Sequence, residues 1–211
     1  MSGSALSVNW ASAHVPAIVE AWYPGQEGGQ AVASLLAGDF SPAGRLPVTF
    51  YKSADQLPPF GDYTMAGRTY RYFKGDALYP FGYGLSYTTF AYADPSVSAA
   101  SIKAGQGVTA KVKVSNTGAR DSDEVVELYV AKPGDTAKPT LARFQRIHLK
   151  SGESQTVSLD LDARALSQVD VNGNRAVVPG AYTLYLGGGQ PGHAQTAAAL
   201  LTITGEAAVA K

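Results

Sequence analysis

The chain has no cysteine. That excludes disulfides, thiolate metal sites and cysteine nucleophiles, whichever redox compartment holds the protein. Histidine is scarce, with three residues, so a histidine-rich metal site is not expected, and neither is a cofactor. No run approaches the roughly 18 consecutive apolar residues of a membrane helix. Met1 to Trp10 shows neither the basic nor the apolar region of a signal peptide. An excess of one charge is missing too: 17 Lys plus Arg balance 17 Asp plus Glu, with no basic run. Such a chain has no electrostatic footprint for nucleic acid or for an anionic membrane. No Asn-x-Ser/Thr acceptor occurs, and the cellular location is not written in these residues.

What is present points to a packed protein. Of 211 residues, 45% are hydrophobic and 16% charged, enough to build a core and to exclude general disorder. The length allows one large or two small domains. The 23 glycines and 12 prolines predict many turns, as in β-rich proteins.

The character of the chain changes near residue 93. Before it, Ala17 to Tyr23 is a short apolar run that predicts a buried strand, ended by Pro24-Gly25. Gly28 to Ala37 predicts a helix, with Val32, Leu35 and Leu36 at i, i+3, i+4 and Gly38 as its stop. Leu46 to Phe50 predicts a further strand. One helix and two or three strands do not close a core. Trp10, Ile18, Val19 and Trp22 want partners that the chain barely supplies, so this part reads as the end of a larger α/β domain.

Beyond residue 93, Val108 to Val114 alternates apolar and polar, as a half-buried strand does. Glu124 to Val130, Arg143 to Leu149, Gln155 to Leu161, Ala176 to Val178, Tyr182 to Leu186 and Ala199 to Ile203 bring the count to about seven strands. Pro133-Gly134, Ser151-Gly152, Asn172-Gly173 and Pro179-Gly180 punctuate them. This predicts an all-β immunoglobulin-like sandwich of the fibronectin type, since the Cys-Trp-Cys pattern is absent. The expected division is 1–60 for the incomplete α/β part, 61–92 for an aromatic connector, 93–205 for the sandwich and 206–211 for a frayed tail.

Several patterns invite chemical readings. Asp170, Asn172 and Asn174 have the opening spacing of a calcium loop, but Arg175 and Ala181 stand where Gly and Glu are needed, so an Asn-Gly turn is preferred. Asp160 and Asp162 fall on one side of a strand and read as a solvated strand end. Gly82-Tyr83-Gly84 lacks the third glycine of a dinucleotide loop. His148 has no partnered nucleophile and reads as a partly exposed strand residue. Residues 60–92 hold 11 of the 21 aromatics. With Asp62, Arg68 and Arg71, the side chains of Tyr63, Tyr70 and Tyr72 are candidates for a sugar platform, because aromatic faces stack on pyranose rings and charged groups bind hydroxyls. A packed inter-domain connector is the favoured reading of the same residues.

Two segments carry a resemblance. Ala21-Trp-Tyr-Pro-Gly-Gln-Glu-Gly-Gly-Gln-Ala31, followed by Gly38-Asp-Phe-Ser-Pro-Ala-Gly-Arg-Leu-Pro-Val-Thr-Phe50, resembles the late part of family 3 glycoside hydrolases, which include β-glucosidases and β-xylosidases. Gly67 to Phe73 and Tyr79 to Tyr87 are similar to the segment joining that family's α/β sandwich to its fibronectin-like domain. The resemblance implies a C-terminal portion of a retaining β-glycosidase. The family's nucleophilic Asp sits on a preceding barrel and its acid/base Glu on an earlier loop. No Asp-Trp pair occurs here, so no residue is assigned a catalytic role. The implied partners are the N-terminal barrel and sandwich portion, or a second copy, and a β-linked oligosaccharide in the complete enzyme. The family allows a secreted or periplasmic setting. A free-standing carbohydrate-binding or protein-interaction module is the alternative.

Overall fold

A computed structural model describes residues 1–210. The first ninety residues carry little regular structure. They hold α1 (Asn9–His14), α2 (Gly28–Ala37), a 3-10 turn at Ala54–Gln56 and the single-turn α3 (Thr69–Tyr72). Helix α2 has the bounds its apolar spacing predicts. Gly38 ends it in the left-handed region, with φ 79°, and its N–H returns to the carbonyl of Leu35. Glu27 stands at the N-cap without a side-chain capping bond, so it contributes charge near the helix start and no more.

The strand expected at residues 17–23 does not form. Trp22 takes φ 51°, no neighbouring segment offers a ladder, and Ile18 and Val19 lie exposed. The segment 46–50 does not form the expected strand either, since Pro47 and Val48 bend and only Phe50 makes a bridge, to Tyr79, yet its backbone is not left unpaired. It pairs with the connector: Leu46 and Phe50 donate to the carbonyls of Tyr83 and Tyr79, and Gly82 donates back to Leu46. Composition favours a strand at 46–50, but its partner is an aromatic, glycine-rich stretch that carries no strand pattern, so the pairing stops at one bridge and a few hydrogen bonds.

The remainder is a sandwich. In chain order come β1 (Phe90–Val97), β2 (Ser101–Lys103), β3 (Val108–Asn116), β4 (Ser122–Ala131), β5 (Thr140–Leu149) and β6 (Ser154–Leu161). The short helix α4 (Ala163–Leu166) follows, then β7 (Gln168–Val169), β8 (Arg175–Val177), β9 (Gly180–Gly187), β10 (Thr196–Thr204) and β11 (Ala207–Ala208). One sheet runs β1-β3-β6 and the other β2-β10-β9-β4-β5, antiparallel except where β2 joins β10. Strand β11 pairs with β8, so residues 207–208 are not frayed as expected; two ladder positions tie them down. Residue 211, also assigned to that tail, lies outside the described residues.

The core explains the alternation. Ala110, Val112 and Val114 of β3 face Val126, Leu128 and Val130 of β4 and Leu184, Leu186 and Leu201 beyond, all fully buried. Tyr182 is buried as well, and its hydroxyl donates to the carbonyl of Val178 at 2.8 Å, in the manner of the tyrosine corner of such sandwiches. Strand β1 carries a bulge at Asp94, a non-glycine residue at φ 52°, next to Pro95. A proline and a bulge weaken a strand pattern, which is why β1 is hard to read from sequence.

Candidate functional site: the junction of connector and sandwich

The densest polar chemistry lies where the connector meets the sandwich. The backbone hydrogen bonds between residues 46–50 and 79–83 place Arg45 beside strand β4. Its guanidinium clasps Glu124 through Nη2, at 2.7 and 2.8 Å to the two carboxylate oxygens, and donates through Nε to the carbonyl of Gly188 at 3.1 Å. Tyr92 of β1 donates to the same carboxylate at 2.8 Å. The pair is buried, with side-chain exposure of 10% for Arg45 and 2% for Glu124. Burial, then the Glu124 charge, push the Tyr92 phenol far above its ordinary value.

A second buried acid lies on the face of β4 that the connector covers. Glu127 is 4% exposed, and its Oε2 accepts from the Tyr129 hydroxyl at 2.6 Å. Gly82 closes over them: a Cβ there would sit 2.7 Å from that oxygen and 3.0 Å from the phenol. With φ at 78°, Gly82 also needs the left-handed region. Desolvation raises the carboxyl of Glu127, against the opposing effects of the Tyr129 hydrogen bond and of Arg45.

The aromatic connector completes the contact. Thr69 takes φ 54°, a costly conformation for a β-branched residue, at the start of α3, which carries Tyr70 and Arg71. Tyr70 stacks on Phe81 at 4.3 Å, meets Tyr129 edge-on at 6.2 Å, and accepts from the backbone N–H of Leu141 at 2.9 Å. Burial raises its phenol pKa. Arg71 pairs with Asp135 at 2.8 Å and donates to the carbonyl of Lys138. Although burial works against it, hydrogen bonds from Arg71 and the Ala137 N–H hold the Asp135 carboxyl below its ordinary range. At the far end, Tyr87 donates to the Leu35 carbonyl at the end of α2, and Arg120 lies over the Tyr87 ring at 5.8 Å.

The six sugar-platform candidates therefore separate. Tyr70 and Arg71 are engaged in the junction, and Tyr72 lies half-exposed beneath the Arg71 guanidinium at 5.7 Å. Asp62, Tyr63 and Arg68 sit on the loop before α3. Arg68 braces that loop by donating to the carbonyls of Pro59, Asp62 and Thr64, not to the Asp62 carboxylate. Asp62 instead accepts from the Thr64 N–H at 2.8 Å, which lowers its pKa. Phe60 and Tyr63 project outward, 97% and 90% exposed. Sequence reasoning misses Arg45, Tyr92, Glu124 and Glu127. The available signal is two glutamates inside the apolar run Glu124-Val-Val-Glu-Leu-Tyr-Val130, where a charge has no cheap place.

The remaining patterns resolve plainly. Asp170 accepts from the N–H groups of Asn172 and Asn174, making the loop an Asn-Gly turn with Gly173 at φ 80°. His148 lies exposed on β5 with Nδ1 2.7 Å from Asp123, which also binds Arg146. Thr109 donates to Asp160, while Asp162 caps α4 at Ala165 and meets Arg143 at 3.0 Å. Asp162 and Asp160 thus serve strand and helix ends. Among the described residues, no group of three or more His, Cys, Asp or Glu is placed to hold a metal ion.

Residues 1–87 match the glycosyl hydrolase family 3 C-terminal domain, and residues 124–190 match a fibronectin type III-like domain. A xylan 1,4-β-xylosidase of Xylanibacter ruminicola is 46% identical over 88% of this chain and 22% of its own length. A periplasmic β-glucosidase of Salmonella typhimurium is 36% identical over 89% of this chain and 26% of its own. The solved structure of a β-glucosidase from Erythrobacter marinus superposes with a TM-score of 0.82 at 34% identity, over 97% of this chain and 27% of that one. The chain thus spans about a quarter of the length of the relatives it matches.

Proposed function

This chain belongs to glycosyl hydrolase family 3, carrying its C-terminal domain sequence and a fibronectin type III-like domain, and we propose that it is the C-terminal portion of a retaining β-glycosidase acting on terminal β-D-glucosyl or β-D-xylosyl residues. In this reading, residues 1–60 close an α/β domain whose earlier part lies in a preceding segment. Residues 61–92 fasten that domain to the sandwich, and the chain by itself is a scaffold without nucleophile or acid/base.

The observation that carries the reading is the lopsided match: nearly all of this chain against about a quarter of β-xylosidase and β-glucosidase relatives. The chemistry of the chain agrees. Retention needs two carboxyl groups about 5 to 5.5 Å apart and free to face a substrate. The buried carboxylates here are tied instead: Glu124 to Arg45 and Tyr92, and Glu127 to Tyr129. Glu20 accepts from Ser2 and from the Trp22 N–H, holding a turn.

The exposed loop adds a narrower proposal. Asp62 and Tyr63, held by Arg68, contribute to a sugar-binding entrance in the complete enzyme, while Tyr70, Arg71 and Tyr72 support that loop from below. The test is reconstitution. The chain is mixed with the N-terminal portion of a related β-xylosidase truncated at the corresponding point, and release of xylose from an aryl β-xyloside is followed. Activity that needs both pieces supports the scaffold reading, and a higher KM with Tyr63→Ala supports the entrance. An N-terminal portion equally active without this chain contradicts the scaffold reading.

A further inference from the structure

The junction holds two buried glutamates and one buried arginine. Arg45 gives Nη2 to both oxygens of Glu124 and Nε to the Gly188 carbonyl, so its guanidinium is committed. Among the described residues Glu127 has one hydrogen-bonding partner, the Tyr129 hydroxyl. Its register neighbours on β5 and β9 are Phe144 and Gly187, which bring no charge. The ionisable groups that act on it are Arg45, Tyr70, Tyr92, Glu124 and Tyr129, and only the committed Arg45 is cationic. An ionised Glu127 is therefore a buried carboxylate with a single hydrogen bond, standing in the field of a second carboxylate. That is an expensive arrangement, and protonation or exposure relieves it.

Exposure has a definite route, because what covers Glu127 is the connector. Gly82 lies against its carboxylate, and beside it Phe81 stacks on Tyr70, which meets Tyr129 edge-on. We propose that Glu127 makes docking of the connector onto the sandwich proton-linked: the docked junction holds it as the neutral acid, and its ionisation loosens the segment around Phe81-Gly82. The direction follows from linkage. Burial raises the native pKa of Glu127 above its unfolded value of 4.5. The contribution to stability is complete below that unfolded value and is lost as pH rises through the raised native one. Asp123, Asp135 and Asp162 are held below their ordinary 3.8, so they act in a separate, more acidic window.

The test uses the whole chain. Glutamate side-chain carboxyls are labelled with ¹³C and titrated by NMR, with Glu127→Gln assigning the resonance. Denaturant midpoints are measured across the same pH series. The expected result is a Glu127 carboxyl that titrates above the ordinary glutamate value of 4.5. Stability should fall through that same window, and the fall should be lost in Glu127→Gln. Protease cutting within residues 74–85 should rise in step in the wild type. If Glu127→Gln fails to fold, Tyr129→Phe removes the hydrogen bond that favours the ionised form and should move the titration upward. A Glu127 that titrates at or below 4.5, a Glu127→Gln profile parallel to wild type, or no upward movement in Tyr129→Phe would each overturn the proposal.

Discussion

Arg45 is the residue on which the junction turns. It is the only cation bound to the buried Glu124 carboxylate among the described residues, and it reaches both the connector and the loop after β9. Replacing a buried ion pair by apolar groups can be neutral, but removing one partner leaves the other buried and unpaired. Arg45→Ala should therefore cost about 3–5 kcal/mol, read from urea unfolding monitored at the tyrosines. A loss under about 1 kcal/mol, the range of an exposed pair, would show that Glu124 finds water in place of the guanidinium. Glu124→Gln together with Arg45→Met should recover much of the loss, since neither member is then left charged and alone. Arg45 stands inside the Gly38 to Phe50 motif, but sequence alone gives it no role. Its partner lies 79 residues away, and no local pattern expresses that distance.

At the level of elements, legibility follows the strength of the period. Helix α2 carries a clean i, i+3, i+4 face, β3 and β6 alternate cleanly, β4, β9 and β10 are apolar runs bounded by turns, and each forms within two or three residues of its predicted bounds. Strand β1 escapes because its bulge and Pro95 interrupt the alternation, and β2, β7 and β11 are only two or three residues long. The strand expected at residues 17–23 shows the converse: composition favours it, but a strand needs a neighbour. Packing should rank these elements by protection. Backbone amides of β3, β4 and β9 are expected to exchange most slowly, near the global unfolding limit, because they lie inside their sheets over a fully buried core. Amides of residues 15–23 are expected to exchange fastest, since their hydrogen bonds do not join a ladder. Hydrogen exchange followed by mass spectrometry reads both. Equal protection in the two regions would mean that residues 15–23 pair with something, such as a second copy.

On the scale of the molecule, the two parts are unequally finished. The sandwich buries its own apolar residues and closes a core. The first part leaves Trp10, Ile18, Val19, Leu36 and Phe40 exposed, although Leu35 and Phe50 are buried. Exposed apolar side chains gathered in one part of a chain suit coverage by another polypeptide. Under the scaffold proposal that polypeptide is the N-terminal portion of the same enzyme, and the junction around Arg45 holds the sandwich in place beside it. Under the same proposal this chain scaffolds catalysis without performing it. The most direct test is hydrolysis of aryl β-glucoside and β-xyloside by the purified chain, with native mass measured on the same sample. No turnover above buffer is expected. Turnover that stays with a single 22.0 kDa species through purification, and that falls on mutation of Glu20, Glu27, Asp39 or Asp62, would contradict the claim.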